Sequence, residues 1–198
     1  MQVTRRSNQQ RTDQTRGALL GAARALFIEK GFAGTSTPEI VAAAGITRGA
    51  LYHHFEDKRA LFRAVIVAEF IAVAAAIEAS SPSGVAPLEA LIEGGNAYLD
   101  AMQAKGRTRL LLVEGPAVLG AAEMAALDNA HTALTLRQGL AALNGPTSPE
   151  PIMLDALTAL LSAAFDRAAL AIDGGAAPGP YREAIAFMIK RIAGHSAN

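Results

Sequence analysis

Apolar positions along this chain recur at helical spacing, and no stretch of any length alternates as a half-buried strand would. Leu19, Ala23, Leu26 and Phe27 share one face of a predicted helix over 12–30, with Gly31 placed to stop it. The run TSTPEIVAAAG predicts a second, two-turn helix. Ser36 can cap it, Glu39 can reach back as the acidic half of a capping box, Pro38 is tolerated in the first turn, and Gly45 ends it. Thr47 can cap a short third helix over 48–54, and EDK opens a long fourth over 57–79. Breaks at SSPSGVAP (80–87), NGPTSPEP (144–151) and DGGAAPGP (173–180) separate further helices at 88–104, around RTRLLLVEG, at 121–143, at 152–172 and at 181–193. The expectation is an all-α protein of about nine helices. Its first three, with a glycine-bearing three-residue turn between the second and third, form a helix-turn-helix pattern.

Composition narrows the function. The chain has 198 residues, 51% of them hydrophobic, and is rich in alanine and leucine, which favour helix over sheet. No cysteine is present, so disulfides and thiolate-held zinc or iron-sulfur centres are excluded. The polar start MQVTRRSNQQRTDQ has no apolar segment behind it, and no run of 18 or more apolar residues occurs. A soluble cytoplasmic protein with no membrane partner is expected.

The formal net charge of zero hides an asymmetry. Through Arg63 there are ten basic residues against five acidic, a balance of +5; the remainder holds eight basic and thirteen acidic, a balance of −5. A basic end on an acidic body suits a protein that meets a polyanion at one end.

The stretch ITRGALYHHFEDK gives that end its chemistry. In a helix-turn-helix the second helix enters the major groove, and its first residues approach base edges. Thr47 and Arg48 stand at that first turn, where Arg48 can donate in bidentate fashion to guanine or pair with phosphate. Gly49 and Ala50 are small enough to let the backbone come close, and Ala50 can offer its methyl to thymine. Leu51 and Phe55 fall on the opposite face, for packing. Tyr52, His53, Lys58 and, near the Ser36 cap, Thr37 are candidates for phosphate. His53 and His54 are adjacent, which is wrong for a helical two-histidine metal site, and His131 and His195 are single; no metal and no cofactor is expected. No phosphate loop, nucleophile elbow or metal-ligand spacing supports an enzyme built on Glu114, Glu123, Asp128 or His131. An architectural protein that coats DNA without reading bases would use the same basic end, and is the alternative.

The segment TSTPEIVAAAGITRGALYHHFEDKRALF resembles the DNA-binding segment of the tetracycline-repressor (TetR) family of bacterial transcriptional regulators, with Val41 where alanine frequently follows the isoleucine. Residues 1–11 are polar, basic and without periodicity, which suits a flexible arm, and the resemblance implies a DNA-binding domain at 12–62 and a helical regulatory and dimerisation domain at 63–198. It implies DNA contacts from Thr37, Thr47, Arg48, Gly49, Ala50, Tyr52, His53, His54 and Lys58. It further implies a homodimer through the last two helices, a palindromic double-stranded operator and a small-molecule effector that releases it. Polar residues within apolar helices, Asn96, Tyr98, His131 and Asp166, are the candidate effector contacts. Gly115-Pro116 is expected to interrupt the sixth helix as a connector or hinge.

Overall fold

The computed structural model describes residues 8–80, 84–144 and 150–195, and within them the secondary structure is helical. Helix α1 (Asn8–Gly34) buries Leu19, Ala23 and Phe27 completely, the four-residue spacing that defines its inner face. It begins by Asn8, so residues 8–11, expected in an arm, are helical; residues 1–7 lie outside the described residues. Gly31 breaks the helix at φ 72°, ψ 170°. Helix α2 (Thr37–Ala44) starts on the capping box anticipated from sequence: the Ser36 N–H donates to Glu39 Oε2 at 2.9 Å and the Glu39 N–H to Ser36 Oγ at 3.4 Å. Gly45, at φ 66°, ψ 32°, supplies the left-handed residue that closes it. Helix α3 (Arg48–His54) starts on Thr47, whose Oγ1 accepts from the Ala50 N–H at 3.2 Å, and buries Leu51 alone.

Helix α4 (Lys58–Ala79) is the central post. Phe62 meets Phe27 and Phe32 edge-on at 5.0 and 5.1 Å between ring centroids, which fixes α1 onto its first half. An 18-residue window of α4 reaches a mean hydropathy of 2.2, long and apolar enough to cross a membrane by length and composition. The absence of an unbroken apolar run did not suggest this. One face of it is used inside the protein: Leu61, Phe62, Val65, Ile66, Phe70 and Val73 are all buried, while Ile71 is exposed. Between them lies Glu69, buried and held by Arg24 of α1 at 2.7 Å and Arg107 at 2.8 Å. Burial opposes ionisation of Glu69, but hydrogen bonds from both guanidiniums outweigh it and hold its carboxyl below the ordinary range.

The body consists of α5 (Pro87–Met102), α6 (Arg107–Arg109), a π-helical turn (Leu110–Glu114), α7 (Gly115–Leu119), α8 (Ala121–Ala130), α9 (Thr132–Asn144), α10 (Pro151–Asp173) and α11 (Pro178–His195). Two differences from the predicted elements have local causes. The Gly115-Pro116 pair does not separate two helices; the chain widens to a π turn in which the Gly115 N–H reaches back to the Leu110 carbonyl, five residues away. A wider turn accommodates a proline that brings no N–H and crowds the preceding turn. The predicted helix at 121–143 is two helices, broken at His131 (φ −129°, ψ −85°), where the Thr132 hydroxyl turns back to the Asp128 carboxylate. One continuous core runs from Leu19 of α1 to Ile189 of α11.

Candidate nucleic-acid interface and internal cavity

Because α3 buries only Leu51, the rest of its short surface faces out. Thr47, Arg48, Gly49, Tyr52 and His53 are exposed, while Ala50 and His54 are half-buried. The Arg48 guanidinium lies over the Tyr52 ring, 5.5 Å from its centroid. The Thr37 hydroxyl and then Arg48 hold the Tyr52 phenol below its ordinary pKa, which ties α2 and α3 into one surface. His53 and His54 meet edge-on at 5.4 Å, and His54 also leans on Phe55, at 6.4 Å. Eight of the nine predicted DNA-contact residues, Thr37 and those on and around α3, are therefore exposed or only half-buried.

Lys58 is placed differently. Its amino group donates to the Phe32 and Thr35 carbonyls, both at 2.8 Å, and sits 4.2 Å from the centroid of the Phe32 ring. It latches the corner between α1 and α2, and only its remaining N–H is left for anything outside. The charge asymmetry is also spent in part internally. Lys30 pairs with Glu39 at 2.7 Å, and Arg59 and Arg63 both reach Glu123 of the body at 2.7 Å. Among the described residues Arg48 has no acidic partner, so it keeps its charge for an incoming group.

Within the body, α4, α5, α8, α9 and α10 line a partly open cavity of about 350 Å³, walled by Ile77, Leu91, Leu136 and Phe165 among others. A second space of about 270 Å³ lies beneath it, reaching Phe70 and the Leu111-Leu112 stretch of the π turn. Tyr98, Asp128 and Thr132 line both. The Tyr98 hydroxyl donates to Asp166 Oδ1 at 2.6 Å; the Thr132 hydroxyl donates to Asp128 Oδ1, and the Ser162 hydroxyl to Asp128 Oδ2 at 3.3 Å. Burial, and then the neighbouring Asp128 charge, push the Asp166 carboxyl up to about 6 against the stabilising Tyr98 hydrogen bond. Burial first, and then Asp166, push Tyr98 well above its ordinary value.

Of the four residues expected here, Tyr98 and Asp166 line these spaces, and Asn96 and His131 do not. Asn96 sits on the far side of α5, where its side-chain oxygen accepts from Arg182 of α11 at 3.2 Å. His131 stacks on Phe70, with centroids 6.4 Å apart. The sequence reading missed Asp128 and Thr132 as lining residues. An acid and a hydroxyl four residues apart, within what the sequence presents as one helix, was the only signal.

A path leads from this cavity to the DNA end. The π turn that carries Leu111 and Leu112 ends on Glu114, whose Oε2 accepts from the Phe32 N–H at 3.1 Å and whose Oε1 accepts from Arg109 at 2.8 Å. A Cβ on Gly31 would lie 2.9 Å from Glu114 Oε1, so both the positive φ and the close carboxylate require glycine there. The Phe32 carbonyl in turn holds Lys58.

Two family descriptions match the chain: "Bacterial regulatory proteins, tetR family" over residues 19–65, and "Tetracyclin repressor-like, C-terminal domain" over residues 88–194. The HTH-type transcriptional repressor BepR of Brucella suis is 47% identical over 53 residues, 27% of this chain and 25% of that protein. The chain spans between a quarter and about half of the length of the curated relatives it first matches. A TetR-family transcriptional regulator from Pectobacterium atrosepticum is similar in structure with TM-score 0.69 and 26% identity, over 94% of this chain and 95% of that one. LfrR from Mycobacterium smegmatis, solved in complex with proflavine, shares the fold at TM-score 0.61 and 22% identity, over 90% of this chain and 95% of that one.

Proposed function

The chain belongs to the tetracycline-repressor family of transcriptional regulators, which bind DNA and are not enzymes, and from that premise we propose that it is a cytoplasmic homodimeric repressor of a palindromic operator, released by a small molecule in the body cavity. The observation that carries this is the outward face of α3, where Arg48, free of any acidic partner among the described residues, stands beside Thr47 at the capped helix start. Arg48 donates to a base edge or phosphate; Thr37, Tyr52, His53 and His54 reach the flanking backbone; Gly49 and Ala50 allow the close approach. Lys58 positions the α1–α2 corner and offers its last N–H to phosphate.

A dimer fits the outer surface of the last two helices. Ile152 is 78% exposed, Leu160 71% and Phe187 58%, with Met153 and Met188 alongside, an apolar face that α10 and α11 leave bare in the single chain. Pairing these helices with a second copy covers that face and sets two α3 helices on one side of a duplex, where a palindrome presents two equivalent half-sites. Effector release uses the path described above. A ligand that favours a different setting of the Leu111-Leu112 wall moves Glu114, and with it the Phe32 corner and α2. It shifts the population by no more than its differential affinity for the two settings.

The test is selection of random DNA by the purified protein at physiological salt with unrelated competitor present. A shared palindrome is expected, and Arg48→Ala should weaken discrimination at one position per half-site by about 10- to 100-fold while the dimer persists. Recovery of DNA without a common sequence would point instead to non-specific coating.

A further inference from the structure

The body cavity holds charge of one sign. The larger space is lined by Glu78 and Asp128 and the smaller by Asp128 and Asp166, and among the described residues no lysine, arginine or histidine lines either. The donors to the two aspartates are all hydroxyls, those of Tyr98, Thr132 and Ser162. Elsewhere the chain treats a buried carboxylate differently: Glu69 has two guanidiniums. Two neighbouring carboxylates without a cation are unfavourable to the fold, because burial desolvates Asp166 and the Asp128 charge repels it. Hydroxyls ease this only in part, as they bring dipoles and no net charge. The arrangement is accounted for by a cation that arrives with the ligand.

Resting on the reading of this cavity as the effector site, we propose that the effector is an organic cation, an amine or similar weak base with one positive charge and an apolar body, whose charged nitrogen sits between Asp128 and Asp166. The rest of the molecule occupies the larger space against Leu91, Leu136 and Phe165, walls that offer contact area and little polarity. Asp128 is the pivotal group because it borders both spaces; Tyr98 and Thr132 aim the two carboxylates. Bound between them, the nitrogen lies beside the π turn, the segment that ends on Glu114 at the DNA end. The cavity makes this a site, and the carboxylates set the charge of what enters it.

Three probes of one shape test this: 4-phenylbutylamine, 4-phenylbutanol and 4-phenylbutyrate, titrated by calorimetry at pH 7 into the full chain and into Asp128→Asn, Asp166→Asn and Thr135→Trp, the last filling the larger space. The amine should bind at least about tenfold more tightly than the alcohol and more tightly still than the acid, and each asparagine variant should remove most of the amine's advantage while leaving the alcohol unchanged. Alcohol or acid binding as tightly as the amine, with all binding lost in Thr135→Trp, would overturn the charge assignment and leave the cavity as the effector site. Binding that Thr135→Trp leaves intact, or no binding of any probe at millimolar concentration, would overturn the cavity reading along with it.

Discussion

The DNA end and the body handle polar groups in opposite ways. At the DNA end the frame is closed: Ser36 and Glu39 cap each other, Lys30 pairs with Glu39, and Lys58 satisfies two carbonyls, so that the chemistry is carried by side chains standing outside that frame. In the body the frame is closed by apolar packing, and the polar groups that stand out are inside, as carboxylates that line the cavities with hydroxyl donors and no countercharge among the lining residues. An outward site can be stable before its ligand arrives because water covers it. An inward one carries a desolvation cost, and under the proposed reading a cationic ligand relieves it and so couples occupancy to conformation.

Glu69 joins the two regions, and its loss should have the largest effect. Glu69→Ala removes the carboxylate that holds Arg24 of α1 and Arg107 of the body together. It leaves Arg107, whose side chain is 13% exposed, without its charge partner. Breaking a buried pair in this way costs about 3 kcal/mol. Thermal unfolding should shift down accordingly, and hydrogen exchange should rise on both α1 and α6. A loss confined to α1 would mean that the DNA end is docked by the Phe27-Phe32-Phe62 cluster alone.

The contrast between the regions also decides what could be read from sequence. The helix-turn-helix was legible because its signals are local: Ser36 and Glu39 are three apart, Thr47 and Ala50 three apart, and Gly45 is fixed by its own backbone. The cavity was not, because its polar set is assembled across the fold. Asp128 meets Ser162, and Tyr98 meets Asp166, from positions 34 and 68 residues away. Asn96 and Tyr98 looked equivalent as polar residues on one apolar helix, yet two helical steps turn the chain by roughly 200°, which sends Asn96 to Arg182 and Tyr98 to the cavity. The internal role of Lys58 was hidden for the same reason: its carbonyl partners lie 26 and 23 residues back.

The carboxylate pair gives the body a pH dependence opposite in sign to that of the DNA end. The groups facing Asp166 are Tyr98 of α5 and Asp128 of α8. Its pKa is raised from 3.8 to about 6, so the folded state holds this proton more tightly than the unfolded chain does. The resulting stability is fully present below pH 4 and is lost as pH rises through 6. Asp166→Asn keeps an acceptor for Tyr98 and removes the titration. Its stability relative to the parent should therefore improve by on the order of 1–2 kcal/mol between pH 4 and pH 7 in denaturant unfolding. Curves that stay parallel across that range would place Asp166 in contact with water and weaken the case for a desolvated carboxyl in the cavity.

The smallest effect should come from the DNA end, and its sign with pH is the reverse. Ser36→Ala removes the Oγ that accepts from the Glu39 N–H, a cap worth about 1 kcal/mol. Glu39 is held down to about 2, first by Lys30 and then by Ser36, so its contribution is present above its ordinary 4.5 and is lost as pH falls toward 2. Without Ser36 the Lys30 pair remains, so the Glu39 midpoint, followed by its carboxyl carbon resonance, should rise only partway toward 4.5. Because α2 buries only Ile40, the cap acts on a helix with little packing of its own, and exchange protection should fall in α2 while α4 keeps its rate. Protection lost equally in α2 and α4 would show that the DNA end opens as one unit with the post it stands on, and the proposed path from Glu114 through Phe32 to α2 would then act on that whole unit.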